Sequence, residues 1–328
     1  MKKRLALVTG ATGTIGPTLV SHLINQGYKV RTYNLDIPVP GLFPAEIQHI
    51  QGDVTNAEAV ASVMADVDVV FHLAALLHIE NPSPEMEGKY HKINVGGSQI
   101  VATEAVKAGV RRLVYFSTVK VYGIHQYPPV TEQQPCAPRT MYARTKFEGE
   151  QAVHATSDLE TVVLRLSAVY GPQLRGAWRR LVEAIRRGWF IPVGNLANRR
   201  SLVYIEDVAQ AAMLAAQHPR APSNIYNVVG HEVPTFRQIM ESIYTSAGRN
   251  MPRIHIPARV AIFVAVLLTV VMRILGGRSP ITPDSVRQLT DDETYDGTAL
   301  ADLGYQPSVT LDVGWKLTLD AIACNETE

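Results

Sequence analysis

Residues 7–16 read LVTGATGTIG, an apolar run that breaks into a turn with glycines at 10, 13 and 16. The run suits a buried parallel strand, and TIGPTLVSHLINQG after it suits a helix, so the glycines sit in a strand–turn–helix. Glycine there lets the chain turn sharply and approach a pyrophosphate, while the new helix offers unpaired N–H groups and a positive dipole end. A dinucleotide site is the expectation. Further on, YKVRTYNLD, EIQHIQGD, VDVVFHLAA and RRLVYFST recur as β-rich segments with helical patterns between most of them. That rhythm predicts an α/β fold of right-handed βαβ units, its parallel sheet covered on both faces.

Asp36 falls twenty residues after Gly16, at the end of the second predicted strand. An acidic side chain there accepts bonds from ribose hydroxyls and repels a 2′-phosphate, which favours NAD over NADP. Arg31 nearby weakens that preference. Asp53, in GDVTN, follows another strand and reads either as an adenine neighbour or as a helix N-cap.

The chain of 328 residues is long enough for a core domain with a smaller appendage. Thirty-one Lys and Arg stand against thirty Asp and Glu, with no basic run, so the footprint of a nucleic-acid binder is missing. Cys136 and Cys324 are isolated, which argues against a disulfide framework and fits a reducing, cytoplasmic compartment. No metal-ligand spacing is present. MKKRLALVTG imitates a signal peptide, but its apolar run is too short and reads as a strand. VAIFVAVLLTVVM (260–272) rises only about 20 Å as a helix, short of a ~30 Å hydrocarbon core. A buried helix is the plain reading; the alternative gives 258–275 a weak membrane-surface association. The predicted organisation is a nucleotide-binding core over 1–170, completed by about 201–229. A smaller substrate region follows from 171–200 and 230–328.

MYARTKFEGE (141–150) places Tyr142 four residues before Lys146, on one helix face. A phenol with a pKa near 10 is a poor base, and a lysine one turn away favours the phenolate. Tyr142 would then exchange a proton with a substrate alcohol during hydride transfer to or from a nicotinamide.

TGATGTIG (9–16), GDV (52–54), HLAAL (72–76), FSTVKVYG (116–123) and YARTK (142–146), in this order, resemble the extended short-chain dehydrogenase/reductase family. The resemblance implies a Rossmann-type doubly wound core, a smaller C-terminal substrate-binding region, bound NAD and a homodimer. It implies Tyr142, Lys146 and a hydroxyl as catalytic residues. Ser117 and Thr118 are both candidates for the hydroxyl; counting back three residues from Val121 gives Thr118, which leaves Ser117 as a cofactor neighbour. The remaining cofactor contacts it implies are Gly10, Thr12, Gly13, Thr14, Ile15, Gly16, Asp36, Asp53, Val54, Leu73, Ala74, Ala75 and Asn94. His72 reads as a packed histidine and His78 as a substrate contact.

LRLSAVYGP (164–172), GWFIPVGNLANRRSLVYIEDVAQA (188–211) and GYQPSVTLDVG (304–314) are similar to the nucleotide-sugar branch of 4-epimerases, 4,6-dehydratases and 4-ketosugar reductases. That resemblance puts Arg200 on the substrate diphosphate, where a guanidinium fork makes paired charge-assisted bonds. Arg175 joins Arg200 as an expected substrate contact, and Arg179, Arg180 and Arg199 add positive charge nearby. Ala168 departs from the asparagine that many epimerases carry before VYGP. With the apolar 260–272 stretch, it keeps open a 3β-hydroxysteroid-type dehydrogenase acting on a lipid-like alcohol. A non-catalytic NAD-binding scaffold is the reading from outside enzymology, and an intact Thr118/Tyr142/Lys146 set counts against it.

Overall fold

The computed structural model describes residues 4–77, 79, 82–124, 129–252, 254–274, 286 and 290–324. Seven strands form one parallel sheet in the order β3-β2-β1-β4-β5-β6-β9. They are β1 (Leu5–Thr9), β2 (Lys29–Asn34), β3 (Gln48–Gln51), β4 (Val69–His72), β5 (Arg112–Thr118), β6 (Glu160–Leu166) and β9 (Asn224–Val228). Short strands β7 (Ala168–Tyr170) and β8 (Leu202–Tyr204) pair separately.

The apolar runs are continuous because both faces of the sheet are covered. Ala6, Val8, Val69, Phe71, Val114, Phe116, Val162 and Leu164 point to one face, with α1 (Gly16–Asn25) and α7 (Ile205–Gln217) over it. Their neighbours Leu7, Val70, Leu113, Tyr115 and Val163 point to the other, with α2 (Ala57–Val63), α4 (Ser98–Lys107) and the end of α5 (Met141–His154). Strand order reverses between β1 and β4. The carboxyl ends of these two strands therefore open a crevice at the switch point, where open α/β sheets bind ligands.

The chain divides into two compact units. The first comprises Met1–Val169, Val203–Val229 and Tyr295–Ser308; the second comprises Tyr170–Leu202, Gly230–Thr294 and Val309–Glu328. Segment 295–308, which the sequence reading assigned to the smaller region, belongs to the first unit. Its helix α10 (Thr298–Ala301) buries Leu300 in the sheet's core cluster, Tyr305 joins it, and Ser308 donates its N–H to Asp207 at 2.8 Å.

The second unit holds α6 (Gly176–Arg187), α8 (Phe236–Ser246), α9 (Ala258–Ile274) and α11 (Leu311–Cys324). Its core is aromatic: Trp315 stacks on Tyr170 at 4.7 Å and meets Trp178 at 5.7 Å. The buried-helix reading of 260–272 is overturned, since Phe263 is 68 % and Leu267 53 % exposed. Among the described residues no helix is long and apolar enough to cross a membrane.

Candidate active site

Gly10 has φ +69°, and a Cβ on it would lie 2.6 Å from the Ala74 nitrogen, so only glycine lets β1 turn against the chain leaving β4. At Gly16 a Cβ would meet the Ala11 carbonyl oxygen, so α1 begins in direct contact with the turn. Ile15 precedes α1 and supplies no side-chain cap, and its first turn carries no acidic residue. In contrast, α2, α5 and α8 are capped by Asn56, Thr140 and Thr235. A helix start without a side-chain cap from Ile15, behind a half-buried Gly10–Ile15 turn, fits a dinucleotide pyrophosphate, which the positive end of a helix dipole favours.

Asn34 closes β2 and accepts a bond from the Thr12 N–H at 3.3 Å. Asp36 lies two residues beyond the strand and is exposed. Arg31 is committed elsewhere, to the Val63 and Ala65 carbonyls at 2.6 and 2.9 Å and to Gln48. It caps the C-terminal end of α2, where a cation is favoured. Asp53 accepts from the Thr55 N–H at 2.8 Å in a turn, while Asn56 is the N-cap of α2; the N-cap reading of Asp53 is corrected. Val54 is buried beside Gly97.

A polar chain runs beneath Leu73–Ala75. Thr9 and His72 are side by side in the β1–β4 register, with Thr9 Oγ1 to His72 Nδ1 at 2.7 Å. His72 Nε2 is 3.0 Å from Ser98 Oγ, and Ser98 donates to the Asn94 carbonyl at 2.7 Å. Because Ser98 spends its proton on Asn94, it accepts from His72, which fixes the Nε2–H tautomer; Nδ1 then accepts from Thr9. Thr9 in turn accepts from the Ala74 N–H at 3.3 Å. His72 is neutral, its pKa pushed down to about 3 by burial and secondly by Lys146.

Asn94 sits in a π-helical turn, His91–Gly97, that continues α3 (Met86–Tyr90) and runs into α4. Its side chain accepts from Leu76 N–H at 2.7 Å and donates to the Leu76 carbonyl and Thr145 Oγ1, both at 3.1 Å. The extra residue of a π-turn places this amide between the β4 loop and α5. Asn94 therefore positions the crevice loop.

Thr140 caps α5, which carries Tyr142 and Lys146 on one face. Gly149 lets this helix press against β5: a Cβ there would lie 2.3 Å from Tyr115 Oη and 2.6 Å from the Asn94 carbonyl. The Lys146 ammonium lies 4.0 Å from the centre of the Tyr115 ring. Burial pushes Lys146 down to about 7, opposed by Glu150. Tyr142 is half-buried overall, with its phenol packed inward; burial, then Tyr90, pushes it up to about 12. The expectation that Lys146 lowers the Tyr142 pKa is not met in the chain by itself, because burial and Tyr90 both raise it, while for Lys146 burial outweighs Glu150.

Thr118 ends β5 and accepts from the Lys120 N–H at 3.2 Å. That bond uses an oxygen lone pair, so its hydroxyl hydrogen can still be donated. Ser117 is turned away, with its hydroxyl donated to Glu150, which also pairs with Arg165. The sequence placed Ser117 beside the cofactor and missed this buried trio, since its members lie up to 48 residues apart.

Arg200 and Arg175 belong to the second unit. Arg200 stacks on Phe236 at 5.4 Å and reaches Glu293 at 3.4 Å. Its Nε and Nη2 are buried without a hydrogen-bond partner among the described residues. Arg175 is exposed at the start of α6. Arg179 pairs with Glu183 along α6 at 2.6 Å, and Arg199 donates to the Val233 carbonyl at 3.0 Å. Predicted substrate contact His78 lies outside the described residues.

Sheet order, glycine turn and uncapped helix define a Rossmann-type, NAD-binding enzyme. The chain belongs to the NAD dependent epimerase/dehydratase family, whose model matches residues 6–229. It is similar to N-acetyl-alpha-D-glucosaminyl-diphospho-ditrans,octacis-undecaprenol 4-epimerase of Escherichia coli O157:H7, 26 % identical over 95 % of this chain and 93 % of that one. It is also similar to 3 beta-hydroxysteroid dehydrogenase/Delta 5-->4-isomerase of Mycobacterium tuberculosis, 27 % identical over 93 % and 86 %. Among solved structures, MoeE5 in complex with UDP-glucuronic acid and NAD matches with a TM-score of 0.76 and 25 % identity, covering 98 % of this chain and 99 % of that one.

Proposed function

We propose that this chain is a nucleotide-sugar 4-epimerase or 4-keto reductase in which Tyr142 is the acid/base. NAD, when bound, supplies hydride acceptance and return at its nicotinamide. In an epimerase Tyr142 takes the proton of the sugar hydroxyl and gives it back to the same oxygen; in a 4-keto reductase it only gives a proton to the carbonyl oxygen and is reprotonated from solvent. Lys146, one turn on, stabilises the phenolate while the proton is away, and Thr118 donates a hydrogen bond to the reacting oxygen. The cofactor would lie along Gly10–Gly16, with Asp36 towards the ribose and Leu73–Ala75 along the crevice floor.

Arg200 carries the sugar-diphosphate reading. A buried guanidinium with two donors lacking acceptors is costly unless a ligand completes it, and a diphosphate supplies paired oxygens for a fork. An apolar Ala168 favours a second reading, oxidation of a 3β-hydroxysteroid-type alcohol, which needs no such anion.

Incubation with UDP-sugars separates these outcomes. A change of configuration at the sugar carbon without added cofactor marks an epimerase, and stoichiometric NADH gain or loss marks a reductase or dehydrogenase. Turnover of a 3β-hydroxysteroid with no binding of any UDP-sugar overturns the sugar reading. Tyr142→Phe should lose at least about 10²-fold in turnover while retaining NAD; retained turnover refutes the role of Tyr142.

A further inference from the structure

Helix α9 is built inside out. At about 100° per residue, Val260, Phe263, Val264, Leu267, Val270 and Val271 fall within roughly 120° of its circumference, and all six are exposed at 42 % or more. Small Ala265 lies on the opposite face and is fully buried. Arg259 stands exposed at one edge of the stripe.

The apolar surface extends past the helix. Segments 191–194 and 254–256 run side by side, with Val193 opposite Ile256 in parallel register and the Ile256 N–H donated to Pro192 at 2.9 Å. Ile191 and Ile254, two residues earlier on each segment, are 51 % and 78 % exposed. A Cβ on Gly194 would lie 3.9 Å from that of Ala258, so this ribbon abuts the first turn of α9.

The stretches of chain that carry this surface are rich in arginine, although Asp292 and Glu293 engage Arg199 and Arg200. Across 170–202 and 230–273 the sequence holds twelve arginines, no lysine and no aspartate, against Glu183, Glu232 and Glu241. This excess of nine positive charges sits in a chain whose formal net charge is only +1. Arg187, Arg249 and Arg259 are exposed, and Arg249 packs over Gly188 at the end of α6.

We propose that α9, with Ile191, Ile254 and the exposed Arg187, Arg249 and Arg259, docks on an anionic phospholipid bilayer. The inference is independent of the reaction proposed above. A helix of 17 residues is about 25 Å long, too short to span but suited to lie in the interface. There its valines, Phe263 and Leu267 enter the acyl boundary while arginine stems reach lipid phosphates. A second copy on the same stripe would bring two arginine-rich stretches of chain together, which like-charge repulsion opposes.

Full-length protein sedimented with vesicles tests this. Vesicles of phosphatidylcholine with about a quarter phosphatidylglycerol should bind about 10-fold more protein than phosphatidylcholine alone, and raised salt should erase the difference. Phe263→Asp with Leu267→Asp should abolish pelleting while circular dichroism and NAD binding stay unchanged, since both side chains are exposed. Equal binding to both vesicle types, or undiminished binding of the double variant, overturns the proposal. So does a wild-type dimer in ultracentrifugation that the double variant converts to monomer, because a second copy would then cover the stripe.

Discussion

Lys146 carries its charge against the protein that surrounds it. Burial takes its pKa from 10.5 to about 7, and only Glu150 pulls the other way. Between these values the unfolded chain binds a proton that the folded chain does not, so this group makes stability rise with pH from about 7 to 10.5. Its penalty is full below pH 7 and absent above 10.5. Lys146→Met should therefore stabilise the fold at pH 7 by a few kcal/mol, about 2–4 after losing the contact with Tyr115. The advantage should shrink towards pH 10, and turnover should be lost. Urea midpoints of both proteins at the two pH values check this, and a difference that does not change with pH refutes it. The spacing of Tyr142 and Lys146 was legible in the sequence because a helix turn fixes it. The sense of their pKa shifts was not, because desolvation depends on Tyr115, Tyr90 and the packing of α5, which lie far apart along the chain.

The α5, β5 and β6 elements are locked by a buried ion pair. Arg165 donates to Glu150 through Nε at 3.1 Å and Nη2 at 2.7 Å, and both side chains are 3 % exposed. The guanidinium also stacks on Tyr122 at 4.7 Å, whose hydroxyl donates to Asn227 on β9 at 2.8 Å. Removing one charge leaves the other buried alone. Glu150→Gln should cost about 3–5 kcal/mol, whereas Glu150→Leu with Arg165→Met should recover most of that loss. A double-mutant cycle by urea denaturation measures the coupling; additive single effects would remove the lock from the account. Element types were readable because period-2 and period-3.6 patterns are local, and the continuous apolar strands already implied two covered faces. Two features escaped that logic. Helix α9 has the composition of a buried helix, and no periodicity states which side a helix turns to water. The π-turn at His91–Gly97 leaves no composition signal, yet it sets Asn94 between Leu76 and Thr145.

At the scale of the molecule, each unit is stitched from three stretches of chain, and the last crossing falls between Val309 and its predecessor. Leu300 and Trp315 are therefore fifteen residues apart yet fill different cores. Leu300 is fully buried in the sheet cluster with Tyr226 and Val228, and Trp315 is fully buried against Tyr170 and Trp178. The sequence could not place this crossing, since the segment before it has neither a strand pattern nor a glycine motif, only scattered apolar residues. If the cores are separate, truncating each residue should loosen its own amides first. Leu300→Ala, costing about 2–5 kcal/mol, should speed hydrogen exchange in β9 and α7 and weaken NAD binding. Trp315→Ala, costing about 3–5 kcal/mol, should speed exchange in α8 and α11 and leave β1, β4 and NAD affinity near wild type. Equal loss of protection in both sets from either substitution would mean one cooperative core. The two variants together thus test whether the cofactor crevice is a property of the first unit alone.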